Sequence, residues 1–477
     1  MSRTTSPILA RLAALVSSND LLKRPLHEVS ETISSREVSP VDLTQATLDA
    51  IERDNPTLNA FRVVLTEQAQ EAARQAESEI VAGQYRGPLH GIPVAVKDLM
   101  AMRGTQTRAG SIVLGDEEDR EDSEAVRRLQ DAGAIIVGKT HMPEFAYSPA
   151  SNNQHYGPVK NPWNLEHDTG GSSSGSGSAV AAGLAFGATG SDTGGSIRMP
   201  AGLCGLVGLK PTFGLVSARG AVSLSWSLDH VGPMTRTVRD AALMLDVLAG
   251  YDPGDSRTRN VPVGDYAAMV DGGVSGLRIA VLTDDGTGGL GTDAVLAGMQ
   301  AGVEALKGAG ATSTEISLTQ VSDLQLVNGA ILNIEAAAYY ERFLRDRPDD
   351  LGEWTRDRML GAYAFSPTTF VQMQQARAVL RDQMLQALSD FDVLALPGLP
   401  YEAPPLGVNR ANTRYTGAFN ALGWPAIVVP VGLGEGGLPV SLQLVAKPWR
   451  EHLLFRAAQV VERDGPWQGG KVAPFPG

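Results

Sequence analysis

Residues 122–139 read DSEAVRRLQDAGAIIVGK, and their pattern decides the fold class. Asp122 to Ala132 reads as a helix that Gly133 ends, and AIIVGK after it reads as a buried strand. The same alternation recurs along the chain. A helix over Glu67–Ala82 stops at Gly83, and GIPVAV (91–96) follows as a short apolar run with Lys97 at its end. LRIAVL (277–282), DVLALP (392–397), AIVVPV (426–431) and VSLQLV (440–445) are further strand candidates, separated by helical stretches such as 237–249 and 368–389. Ser39, Pro40 and Asp42 form a helix start, with a capping hydroxyl, proline at the first position and an acid three residues after the cap. Helix alternating with strand predicts the α/β class: a single large domain with a central mixed β-sheet flanked by helices. The boundaries expected are an N-terminal helical extension over 1–26, carrying Ile8, Leu9, Leu12, Leu15 and Val16, a body over 27–464, and a C-terminal tail over 465–477.

The composition fits such a body. Of 477 residues 43% are hydrophobic and 19% charged, the balance of a globular chain with a large core. The net charge of −13 disfavours a nucleic-acid or anionic-membrane partner. Cys204 is the only cysteine, which excludes a disulfide framework and fits a reducing compartment. The apolar stretch Ile8–Val16 is too short to span a bilayer and is poorly built for signal cleavage, so a cytoplasmic protein is expected.

The chemistry concentrates in two glycine- and serine-rich segments. Gly170–Ala188, GGSSSGSGSAVAAGLAFGA, is a loop entering a helix, where free N–H groups and the helix dipole favour developing negative charge. In GSDTGGSIRMP, Gly190–Pro200, the residues Thr193, Gly194, Gly195 and Ser196 can turn successive N–H groups toward one point, as an oxyanion hole requires. Neither loop contains a histidine. A base for a serine hydroxyl must then be a lysine, and burial is what would hold such a lysine neutral.

These segments, with GPLHGIPVAVKD before them and CGLVGLKPTFG after them, resemble the amidase signature family, whose pattern runs GIPVAVKD, GGSSGGS, DTGGSIR. The resemblance is dense from Pro88 to Arg239 and extends from about Ser39 to Glu462. Residue by residue it implies Ser196 as nucleophile, Ser172 as an intermediate serine on a cis peptide bond after Gly171, and Lys97 as base. It also implies an oxyanion hole from Thr193, Gly194, Gly195 and Ser196, with Ser173, Asp192 and Arg198 in support, and calls for no cofactor or metal.

Two competing motifs fail on their context. GAIIVGKT (133–140) satisfies the phosphate-loop pattern, but its spacer is a buried strand where a flexible cradle is needed. Gly171–Gly175 satisfies GxSxG with Ser173 as an elbow nucleophile, but NPWNLEHDT before it is a poor strand and only His230 and His452 follow.

For substrate, the resemblance places Thr413 where the glutaminase component of the tRNA-dependent amidotransferase has an amine-binding acid. Met199 stands where malonamate-type enzymes have arginine. Met142, Tyr147, Met199, Trp226, Tyr363, Phe365 and Phe370 lie in segments that flank the site in relatives and suit an apolar group. The expectation is an amidohydrolase for small, largely apolar amides, anilides, esters or carbamates, active alone or as a homodimer. The alternatives are the glutaminase-type component of an amidotransferase, or a non-catalytic structural subunit.

Overall fold

The computed structural model describes residues 20–114, 117–408 and 412–475. The six strand candidates AIIVGK, GIPVAV, LRIAVL, DVLALP, AIVVPV and VSLQLV are all strands. In chain order the strands are β1 (Phe61–Val64), β2 (Pro93–Lys97), β3 (Ile135–Thr140), β4 (Lys160–Asn161), β5 (Asn164–Asp168), β6 (Gly187–Asp192), β7 (Val207–Lys210), β8 (His230–Thr235), β9 (Arg278–Asp284), β10 (Thr312–Ser317), β11 (Val393–Pro397), β12 (Ala426–Leu433) and β13 (Pro439–Val445). All but β4 and β5, which pair as a hairpin, join one mixed sheet in the order β1-β3-β2-β6-β8-β7-β12-β13-β11-β9-β10. β3, β2 and β6 run parallel, as do β11, β9 and β10, and the strands between them alternate antiparallel. The chain is therefore one α/β domain about a large mixed sheet, as its alternating pattern predicts.

Helices cover both faces. The helix Pro40–Leu58 begins at the expected cap, with Ser39 Oγ accepting from the N–H groups of Val41 (3.0 Å) and Asp42 (3.3 Å). Asp293–Gly308 and Glu451–Asp464 pack on β12 and β13 and bury Val295, Val303, Leu454 and Val461. Of the N-terminal extension, residues 1–19 lie outside the described residues. Beyond residue 464, Trp467 is buried and the Ala473 N–H donates to Ala181 O at 2.8 Å.

The phosphate-loop look-alike is β3 itself. Lys139 is fully buried there, 3.4 Å from Asp98 and 3.7 Å from Asp119, so its charge is spent on ion pairs inside the body.

Strand order positions the chemistry. β2 and β6 are parallel neighbours, so Lys97 and Asp192, their last residues, reach the same edge of the sheet. The loop after β6 starts there, and carboxyl ends of parallel strands are where α/β sheets open to ligands. The helix Ser174–Ala181 presses its first turn on this edge. Gly175 donates its N–H to His141 O at 3.0 Å, and a Cβ at that position would stand 2.2 Å from Ala60 O and 2.6 Å from His141 N.

Backbone atoms cannot give way as a side-chain tip can. Gly175→Ala should therefore destabilise the protein by at least ~1–3 kcal/mol, read as a lowered midpoint in thermal or denaturant unfolding. An unchanged midpoint would contradict the packing described.

Candidate active site

Lys97 ends a strand whose five residues are all buried, and its amine lies among hydroxyls and not against a carboxylate. Nζ is 2.7 Å from Ser172 Oγ, 2.9 Å from Ser191 Oγ and 3.0 Å from Ser173 Oγ. Burial lowers its pKa, Asp192 and Asp229 oppose that from a distance, and the result is a value of about 7. A large fraction of the amine is thus neutral near pH 7 and able to accept a proton.

Ser172 follows a cis peptide bond from Gly171. No side chain fits at 171, where a Cβ would lie 2.6 Å from Ala150 O and 2.7 Å from Ser148 O. Ser173 is wholly buried, and its Oγ bridges Lys97 and the Ser191 backbone, which leaves no room for the exposed elbow nucleophile of the GxSxG reading. Ser196 borders the cavity described below, and its carbonyl accepts from the Ser173 N–H at 3.2 Å.

Asp192 and Arg198 brace the loop between them without any exposure to solvent. Asp192 Oδ1 accepts from the Gly195 N–H (2.7 Å), Arg198 Nη2 (2.9 Å) and Asn420 Nδ2 (2.8 Å). Its Oδ2 accepts from the Ile197 N–H and from Arg198 Nε, both at 3.1 Å. Burial works against the carboxylate, but Arg198, Lys210 and Asn420 together outweigh it and hold the carboxyl well below the usual range. Arg198 is completed by Gln443 and Asn420, each at 2.7 Å.

This brace engages one N–H of the expected oxyanion set. The Gly195 N–H points to Asp192, whereas those of Thr193, Gly194 and Ser196 donate to no acceptor among the described residues. Gly195 has φ +133°, and a Cβ there would meet Thr416 Oγ1 at 2.2 Å. It serves the turn of the loop.

Thr193, Gly194 and Ser196 form one wall of a cavity of about 530 Å³. Its other walls are Ala146, Tyr147, Ser148, Pro149, Leu224, Leu332, Trp354, Arg358 and Thr413. Of the apolar residues expected to line it, Tyr147 alone does. Met142 is 1% exposed within the main core, Phe370 packs against that core, and Met199 belongs to a small cluster with Leu203, Leu399 and Leu438. Trp226, Tyr363 and Phe365 stand at the surface, 59%, 56% and 38% exposed.

What the sequence did not reveal is Arg358, from the helix Glu353–Gly361. Its guanidinium stacks 4.2 Å above the Tyr147 ring and donates to Tyr147 O at 3.1 Å and to Asn333 Oδ1 at 3.2 Å. Burial lowers its pKa, and no carboxylate pairs with it among the described residues. One arginine in the polar stretch TRDR carries no local mark that sets it apart from a solvated charge. No group of His, Cys, Asp or Glu among the described residues is arranged to hold a metal, and no described helix is long and apolar enough to cross a membrane.

Comparison with known proteins agrees with the loops. The Amidase family model matches residues 42–455. The chain is 36% identical to the A-subunit of the glutamyl-tRNA(Gln) amidotransferase of Geobacter metallireducens, over 95% of this chain and 99% of that one. Among solved structures it is similar, with TM-score 0.88 and 33% identity over 92% of this chain and 98% of the other, to a chain from a vestigial protein complex bearing on the origins of an s-triazine catabolic enzyme. A 6-aminohexanoate cyclic dimer hydrolase gives TM-score 0.86 at 28% identity, over 94% of this chain and 98% of that one.

The Asp192–Arg198 brace makes a stability prediction. Arg198→Met leaves a buried carboxylate without its counter-charge and should cost ~3–5 kcal/mol at pH 7. Because the folded Asp192 carboxyl lies well below its unfolded value of ~3.9, the stabilisation is fully present above that value and is lost progressively as pH falls from there through the folded pKa. Denaturant melts should show the gap between wild type and variant shrinking below about pH 4. A gap independent of pH would contradict the assignment.

Proposed function

The chain belongs to the amidase family, and on that premise we propose that it hydrolyses the C–N bond of small carboxylic amides through an acyl-enzyme on Ser196. The observation that carries this reading is the buried Lys97 amine, hydrogen-bonded to Ser172 beside the cavity that Ser196 borders. Neutral Lys97 takes the Ser172 proton as Ser172 takes that of Ser196, and Ser196 Oγ attacks the amide carbon. The N–H groups of Thr193, Gly194 and Ser196 hold the resulting oxyanion. The proton returns through Ser172 to the leaving nitrogen, and water then cleaves the acyl-enzyme by the same relay. Esters and carbamates pass through the same oxyanion.

The cavity walls refine the substrate. Tyr147, Leu224, Leu332 and Trp354 suit an apolar body, while Arg358 offers a buried cation without a carboxylate partner to a carboxylate or carbonyl oxygen. To the largely apolar recognition expected from the sequence, this adds one cationic contact. On this reading the partners are small-molecule amides in the cytoplasm, with neither nucleic acid nor membrane, and the enzyme acts alone or as a homodimer.

A second reading is the glutaminase-type component of an amidotransferase. The amidotransferase relatives favour it, and Arg358 would serve as an anchor for the glutamine carboxylate. Against it stands Thr413, which brings no acid to the cavity for the glutamine amine.

A serine-directed fluorophosphonate should modify Ser196, located by mass spectrometry, and Ser196→Ala and Lys97→Met should fold normally with turnover abolished. An adduct on Ser173 would overturn the assignment. Arg358→Gln should raise KM about tenfold or more for amides bearing a carboxylate or second carbonyl and leave simple aryl amides nearly unchanged. Comparison of free glutamine with aryl amides at equal concentration separates the two readings, since a clear preference for glutamine selects the amidotransferase component.

A further inference from the structure

We propose that Asp229 is a positioning residue for the oxyanion side of the site, acting through Thr193; the inference rests on the amidase reading above. Thr193 is the first residue beyond β6 and lines the cavity, where its backbone N–H can serve an oxyanion if the loop is held in one orientation. Two contacts hold the residue. Thr193 Oγ1 donates to Asp229 Oδ1 at 2.7 Å, and the Thr193 carbonyl accepts from Asn328 Nδ2 at 3.3 Å. The first fixes the side chain and the second the peptide of the Gly194 N–H, while the peptide that carries the Thr193 N–H is held at the Asp192 carbonyl, which accepts from Asn420 Nδ2 at 2.8 Å, and the Thr193 N–H donates to no acceptor among the described residues.

The same carboxylate shapes the facing wall. Asp229 Oδ2 accepts from Ser223 Oγ at 2.7 Å and from the N–H groups of Leu224 at 2.9 Å and Ser225 at 3.2 Å. Leu224 lines the catalytic cavity. The outer side of this turn is fastened to the helix Gln320–Asp346, where Glu335 accepts from Ser225 Oγ (2.5 Å) and Ser227 Oγ (2.6 Å), and Tyr340 donates to Ser223 O (2.6 Å). One buried carboxylate therefore ties the oxyanion loop to a substrate wall, and backbone donors on it require an acceptor at that point.

Its charge also reaches Lys97. The acidic groups that favour a protonated Lys97 are Asp192 at the end of β6 and Asp229 just before β8. Near Asp229 are Tyr340 on the long helix, His230 on β8, and Arg257, which lines the same small cavity, while Glu335 stands on the other side of Ser225, whose N–H donates to Asp229. Removing the Asp229 charge therefore makes Lys97 easier to deprotonate.

The test compares Thr193→Val, Thr193→Ser and Asp229→Asn in the full-length protein. Thr193→Val should lower kcat by about tenfold to a hundredfold with KM changed less than about threefold, because the donor acts on the oxyanion and not on ground-state binding. Thr193→Ser, which keeps the hydroxyl, should restore kcat. Asp229→Asn should lower kcat and move the acid limb of kcat/KM to lower pH, a shift that a merely structural role would not produce. Wild-type turnover in Thr193→Val, equal impairment in Thr193→Ser, or an unmoved limb in Asp229→Asn would overturn the proposal. If Asp229→Asn does not fold, the Thr193 pair decides alone. Loss of turnover in Ser196→Ala, measured alongside, fixes the amidase reading separately, so a normal Thr193→Val enzyme overturns this inference without touching that one.

Discussion

An amine buried without a carboxylate against it is the constraint on which the site depends. Lys97 has no exposure, and three serine hydroxyls surround its nitrogen. Desolvation makes the charged form costly there, and hydroxyls, unlike carboxylates, serve the neutral amine equally well as donors or acceptors. The sheet supplies that environment. β2 lies between β3 and β6, both buried throughout, so the lysine stem emerges from the interior and its amine ends among buried serines.

Charge is nonetheless close by, and its placement explains the loop. Asp192 sits at the end of the adjacent strand, where its charge favours a protonated Lys97. Arg198, Asn420 and three backbone N–H groups engage it, so its field at the lysine is partly spent elsewhere. The same contacts give the turn its shape and use the Gly195 N–H that the motif alone assigns to the oxyanion. A buried ion pair contributes little net stability against an apolar substitute, so its presence here fits a role in specifying one loop conformation.

The parts of this structure that were legible in the sequence are those governed by local pattern. Apolar runs marked β2, β3, β9, β11, β12 and β13, and the Ser39-Pro40 start marked its helix, because each pattern extends over a few neighbouring residues. β6 and β8 were not legible. GATGSD and HVGPMT carry no apolar run, and their glycines answer tertiary packing: a Cβ on Gly187 would meet Met244 Sδ at 2.4 Å, and one on Gly232 would meet Leu209 O at 2.2 Å. Lys97, Ser172 and Ser196 stood out through motif order, and the fold gathers Lys97 and Ser172 in contact. The cavity walls did not stand out. Hydrophobicity marks Trp226, Tyr363 and Phe365 as apolar but does not say which face of the fold they meet, and they meet the surface. Arg358 reaches the cavity from a helix more than a hundred residues beyond the serines, so only the fold brings it there.

The proposed chemistry stands or falls on the protonation of one lysine. The rate at which a neutral fluorophosphonate modifies Ser196, followed from about pH 5 to 10, measures it without assuming a substrate. A single limb rising with a midpoint near 7, absent in Lys97→Met, is the predicted result, since burial brings the Lys97 pKa to about 7. A limb with its midpoint near ~10, the range of a solvated lysine, or one that survives in Lys97→Met would contradict the claim that a neutral, buried Lys97 activates the serine.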